Sequence, residues 1–208
     1  MPSYHILLSF LATAAVFAFV PGPSMLFAAA QTLAGGRWSG LMSSLGLHLG
    51  GYVHVIAAAV GLSIVFHAVP PLYLMVKFAG AAYLVWLGIA MFRSREVGGL
   101  PGAVPKSGRR AFLESITVEI LNPKTAIFYL AFLPQFVDPG AGFAIPLQFL
   151  VLGVIVNAMF SAADLVAVAL ADLVMARLKH SSRFQRIIQR AGGSLLVALG
   201  ASLALEKS

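Results

Sequence analysis

Residues 18–31 read AFVPGPSMLFAAAQ, and the triplet Pro21-Gly22-Pro23 in their midst decides how the chain is to be folded. No Asp, Glu, Lys or Arg precedes Arg37, so the triplet lies near the centre of an uncharged apolar run. Such a run is long enough to cross a bilayer, whose hydrocarbon needs about 20 apolar residues in a helix. Proline inside a helix removes a backbone donor and clashes with the preceding turn, so a carbonyl near it loses its partner. In hydrocarbon that loss is costly unless protein or water replaces the bond. The break is therefore expected to face the protein interior and not lipid.

The rest of the chain has the same character. Of its 208 residues 60% are hydrophobic and only 10% are charged, where soluble domains carry about a quarter charged. Mean hydropathy is +0.92, and a second uncharged run extends from Trp38 to Val76. These features define an all-α integral membrane protein. Apolar runs and their punctuation predict six transmembrane helices, over 5–34, 40–66, 70–92, 111–136, 146–175 and 185–205. Met1-Pro2-Ser3-Tyr4 lacks the basic start of a cleavable leader, so the first span is expected to stay. The absence of cysteine excludes disulfides, thiolate metal sites and a cysteine nucleophile.

The net charge of +7 follows membrane topology. Arg37, then Arg93, Arg95, Lys106, Arg109 and Arg110, then Arg177, Lys179, Arg183, Arg186 and Arg190 fall on alternate connections, and the other connections are nearly free of basic residues. Basic loops face the cytoplasm, which puts both termini on the periplasmic side of a bacterial inner membrane. Nucleic acid is not needed to explain the charge, and membrane lipid is the expected surrounding. The Gly- and Pro-rich stretch SREVGGLPGAVPKSG reads as a flexible cytoplasmic linker. It sits over 94–110 and separates a first three-helix unit, 1–93, from a second, 111–208, within one membrane domain.

The two units resemble each other. KFAGAAYLVWLGIA from Lys77 aligns with QRAGGSLLVALGAS from Gln189, matching Ala79, Gly80, Leu84, Val85, Leu87 and Gly88 with identical residues. Three spans per copy is an odd number, so the second copy inserts upside down, an arrangement recurrent in secondary transporters. The duplication predicts a counterpart to the Pro-Gly-Pro break, and Asn122-Pro123-Lys124 supplies it in the fourth span. The expected fold is thus two inverted three-helix repeats, the first helix of each broken at proline.

Gly-Pro and Asn-Pro each read as an N-cap followed by proline at the first helical position, so a half-helix begins at each break. Its free N–H groups and dipole suit an anion. Pro21, Gly22, Pro23 and Ser24 are expected to build one half of a midplane site for a carboxylate, and Asn122, Pro123 and Lys124 the other. Lys124 is expected to pair with substrate carboxylate or with Glu119, the alternative being a lysine that reaches for the membrane surface.

PGPSMLFAAAQTLAGGRWSGLMSSLGLHLGGYVHV, AGAAYLVWLG and NPKTAIFYLAFLPQFV together resemble the LysE/RhtB family of amino-acid exporters, over essentially the whole chain. The resemblance implies secondary active export of amino acids or close derivatives, driven by the proton gradient. Many members carry an acid directly after Pro-Gly-Pro; this chain has Ser24. A carboxylate partner for the substrate ammonium must then lie elsewhere.

Ionisable groups inside spans are functional by default. Asp164 stands out, with Asn157 and Ser161 on the same helical face, a face suited to recognising the substrate ammonium or shuttling a proton; Asn157 is a substrate-binding candidate, and Asp164 and Glu119 are the proton-coupling candidates. Gly46, Gly50 and His54 recur every four residues and line one close-packing face. His54 and Gln31 are weaker candidates for lining the substrate path. No metal or cofactor is expected. A passive channel is the alternative, although it calls for a ring of like groups. An intramembrane enzyme is the remote one, since no H-E-x-x-H or G-x-S-x-G spacing occurs. A homodimer stays open.

Overall fold

The computed structural model describes residues 4–62 and 107–171, Leu173, and scattered positions between 75 and 89 and between 187 and 205. The expected third and sixth spans, the Lys77 and Gln189 segments that carry the repeat, and nearly all of the linker lie outside the described residues.

Helix α1, Tyr4–Phe19, ends just before Pro-Gly-Pro. Helix α2, Pro23–Ala57, begins at the second proline with Gly22 at its N-cap and runs on through a π-helical turn, Ala58–Leu62. Helix α3, Gly108–Ile120, is capped by the Ser107 hydroxyl, which accepts from the Arg110 amide. Helix α4, Pro123–Ile127, starts at the Asn-Pro break and continues through a π-helical turn, Phe128–Phe132, and a 3₁₀ turn, Leu133–Phe136. Helix α5 is Ile145–Ala169. The described residues are helical throughout, with no strand among them.

Helix α2 is not one rod. Gly36 has φ 78° and ψ 175°, the left-handed side of backbone space that only glycine enters at no steric cost. Beyond it the chain folds back, because a Cβ placed on Gly40 would lie 2.0 Å from Thr32 Oγ1. In a straight helix residues eight apart are separated by roughly 12 Å. The arms 23–35 and 37–57 therefore run back along each other. By length and apolarity alone, Ile145–Ala169 and the stretch Pro23–Gly61, here divided at Gly36, are candidate membrane-crossing segments, and the pair Gly108–Ile120 and Pro123–Phe136, bent by 40°, has the form of a broken span or a re-entrant loop.

The second arm of α2 is wedged between α3 and α5. Toward α3 its glycines let backbones touch: a Cβ on Gly46 would meet the Phe112 carbonyl at 2.3 Å, and one on Gly50 the Ile116 carbonyl at 2.8 Å. Toward α5, Gly51 lies so close to Asn157 that a Cβ would come within 2.0 Å of Oδ1. Small residues at such crossings replace the hydrophobic driving force that lipid cannot supply. The opposite face of the same arm carries Leu41, Leu45, Leu49, Val53 and Ile56, all exposed, an apolar stripe at helical spacing turned outward as lipid contact requires. The apolar core lies between α1, α4 with its following turns, and α5, around Phe10, Phe17, Phe128, Phe132 and Phe149.

Gly46→Val forces side-chain carbons into the α3 backbone. Overpacking of this kind costs about 1–3 kcal/mol, or more where backbone must move. The expected outcome is a lower melting temperature and loss of the monodisperse peak in detergent size exclusion, while Leu45→Val, on the exposed stripe, leaves both unchanged.

Candidate functional site

The two proline breaks meet. Gly22, Ser24, Glu119, Asn122, Lys124 and Asp164 line one cavity together with Ala18, Met25, Thr125 and Phe160. Its volume is about 20 Å³, room for roughly one water molecule. The elements that deliver these groups are the end of α1, the start of α2, the end of α3, the start of α4 and the C-terminal part of α5.

On the α3–α4 side the Asn-Pro break is closed by its own asparagine. The Asn122 side-chain oxygen accepts from the Lys124 amide at 3.0 Å, while its Nδ2 donates to Ser24 Oγ at 2.7 Å and to Glu119 Oε2 at 3.2 Å. The Ser24 hydroxyl donates to the same Glu119 oxygen. One asparagine therefore caps α4 and ties it to the opposite break. Glu119, from α3, thus sets a carboxyl against Ser24 at the start of α2. All three side chains are buried, and buried polar groups persist only where they are paired in this way.

Lys124 shares the cavity with Glu119, but its hydrogen bonds go to backbone carbonyls. Its ammonium donates to the Val20 carbonyl and, at 3.5 Å, to the Ala18 carbonyl. It also lies 5.2 Å from the centroid of the Phe17 ring and 5.4 Å from that of Phe160, within the reach of cation–π attraction. These carbonyls are among those freed where α1 stops. Gly22 makes the approach possible, since a Cβ there would stand 2.6 Å from Lys124 Cδ. Lys124 is 8% exposed, so its ammonium does not extend to a membrane surface.

Across the same break the amides of Ser24 and Met25 open α2. Gly22 supplies no side-chain cap, and the first bond across this helix start is Leu26 N–H to the Gly22 carbonyl, 3.0 Å. The carbonyl end of one half-helix and the amide end of the next thus border one cavity. Asp164 lines it from α5, one turn after Phe160, and is 7% exposed.

The remaining sequence candidates stand behind this cavity. Pro21, Pro23 and Pro123 shape the breaks. His54 Nε2 bonds the Glu119 carbonyl oxygen at 2.9 Å and its ring stacks on Tyr129, so it braces the helix end that carries Glu119. Asn157 donates to the His48 carbonyl at 3.0 Å and serves the α2–α5 crossing. Ser161, on the same face, bonds His48 Nδ1 at 2.6 Å. Gln31 is buried further along the first arm, its Oε1 without a partner among the described residues. Phe17, Phe160 and the carbonyls of Ala18 and Val20 were not singled out from sequence. Among the described residues no group of three metal-binding side chains occurs.

The architecture so far is that of a helical membrane protein whose broken helices converge on a buried polar site. The profile of the LysE type translocator family matches residues 15–207, and the chain belongs to that family. It is 29% identical to the homoserine/homoserine lactone efflux protein of Salmonella typhimurium, over 94% of each chain. It is 31% identical to the leucine efflux protein of Klebsiella pneumoniae, over 66% of this chain and 68% of that one. An uncharacterized membrane protein of Bacillus subtilis is 28% identical over 97% of this chain and all of its own. No solved structure matches.

Ser24→Asp is expected to set a second carboxyl against Glu119 and to lower transport at least tenfold. Adding Glu119→Gln removes the conflict and restores most of the activity and the melting temperature. A double-mutant cycle on transport rate and thermal unfolding measures the coupling.

Proposed function

We propose that this protein is a secondary active transporter that exports amino acids or close derivatives across the bacterial inner membrane by proton antiport. The names of two relatives, a homoserine/homoserine lactone efflux protein and a leucine efflux protein, support efflux of amino acids or close derivatives. The arrangement at Pro-Gly-Pro supports the substrate class, and this one observation carries the reading: α1 ends and α2 begins on the rim of the same buried cavity.

A helix carries partial positive charge at its N-terminus and partial negative charge at its C-terminus. Across the break those opposite poles face a common space, so an α-amino acid fits with its carboxylate toward the Ser24 and Met25 amides. Its ammonium then lies toward the Ala18 and Val20 carbonyls, with Asp164 and Glu119 as carboxyl partners. Asn122 holds the two breaks in register. His54 supports Glu119 from behind, and Gln31 and Asn157 stand along the helices that must move. A cavity of about 20 Å³ admits no amino acid, so binding requires the breaks to open.

The proposed frame is two inverted three-helix repeats with both termini periplasmic, and alternating access by rocking one repeat against the other. Protons couple through Asp164, which faces the cavity with no hydrogen-bond partner among the described residues, and through Glu119.

Efflux of labelled leucine, homoserine and a panel of other amino acids from proteoliposomes, with and without an imposed pH gradient, tests the reading. Gradient-dependent efflux of at least one is expected. Asn122→Ala abolishes it without affecting membrane insertion, and Asp164→Asn makes the remaining efflux indifferent to a proton ionophore. Full activity in both variants would refute the assignment.

A further inference from the structure

The cavity contains a group that behaves like a ligand. The Lys124 ammonium has two backbone carbonyls as acceptors and two aromatic rings within 5.2 and 5.4 Å, and the carboxyls of Asp164 and Glu119 line the same space. Carbonyl oxygens, ring faces and acids together are what a primary ammonium ion requires when it leaves water. None of these groups belongs to the helix that carries Lys124, apart from its own backbone: the carbonyls and Phe17 come from the end of α1 and its junction to α2, Phe160 and Asp164 from α5, Glu119 from α3. The cage exists independently of the side chain that fills it.

We infer that this cage is a primary-ammonium site, and that Lys124 is its tethered resident, displaced when the ammonium group of a transported molecule enters. The inference rests on the proposed amino-acid reading and gives Lys124 a role opposite to that expected from sequence: it competes with substrate instead of binding its carboxylate. The geometry of the stem supports displacement. The lysine side chain lies along Gly22, where no Cβ obstructs it, at the hinge between α1 and α2, so withdrawing it opens the break to both poles at once. While the lysine is seated the carbonyls released by the proline are satisfied; when substrate is seated they are satisfied again. The empty carrier and the loaded carrier therefore hold a cation of the same kind in the same cage, and only the unliganded, lysine-withdrawn form carries unpaired buried groups. Binding and release become an exchange of one ammonium for another.

The test uses the full-length protein in detergent, with n-propylammonium as the probe and 1-propanol as its neutral isostere. Lys124→Ala removes a propylammonium-sized piece and leaves the cage. Added n-propylammonium is expected to raise the melting temperature of this variant by several degrees, 1-propanol to do so far less, and wild type to respond to neither. Combining Lys124→Ala with Asp164→Asn removes most of the propylammonium effect. If the alanine variant is not recovered folded, Lys124→Ser extracted in the presence of propylammonium gives the same reading after dialysis. Equal responses to amine and alcohol, or equal responses of variant and wild type, overturn the ammonium site.

The competition is read separately, by equilibrium binding of the exported amino acid to Lys124→Met. Removal of the resident cation is expected to tighten binding about tenfold while efflux falls at least tenfold. Weaker binding would return Lys124 to the role of a carboxylate contact and overturn the displacement. Failure of any amino acid to bind wild type would instead strike the proposed function, and the propylammonium result decides the cage without it.

Discussion

A carbonyl released where a helix stops inside a bilayer has no water to turn to, and the protein must meet it with a donor of its own. Here the donor is the Lys124 ammonium, which bonds the Ala18 and Val20 carbonyls at the end of α1. An ammonium in that position is itself expensive unless it is surrounded by acceptors, so each group is the other's solution. Everything near the break follows from this exchange. Gly22 must lack a side chain for the lysine stem to pass. The α4 start must be aimed at the α1 end, which Asn122 achieves by capping α4 and bonding Ser24 on α2 at the same time. Glu119 is then held against Ser24, with His54 bracing its backbone from the second arm of α2.

The glycine faces make that placement possible from further away. With Gly46 and Gly50 against α3 and Gly51 against α5, the second arm of α2 brings the two helices that carry Glu119 and Asp164 close enough to share one space. A bulkier arm would hold them apart, and the lysine would face hydrocarbon where it now faces acids. Packing and chemistry are thus one constraint: the same close approach that stabilises a bundle in lipid sets the width of the polar site.

Both breaks were legible in the sequence because proline leaves a local mark that tertiary context rarely hides, and the Asn122 cap was legible for the same reason. The close-packing face of Gly46, Gly50 and His54 could be read from its four-residue spacing. The direction of Lys124 could not. Periodicity places a residue on its own helix but says nothing of what a long, flexible side chain reaches on another. Phe17 and Phe160 were missed because a phenylalanine in an apolar run looks the same whether it faces lipid, core or a cation. The backbone carbonyls of Ala18 and Val20 carry no residue-type signal at all. The fold-back at Gly36 was implied only by Arg37 beside it, since Gly35-Gly36 in a membrane segment reads equally well as a packing surface.

A bilayer that stores energy as a difference in ion activity is discharged by any continuous thread of solvent through it. With one water's worth of space between the half-helices and a positive charge seated against the carbonyls, the meeting point of the two breaks gives such a thread little room and meets an entering cation with like charge. A carrier that works as proposed would, at this site, be an insulator while idle, and a cell could keep many copies standing by without draining the gradient across its membrane.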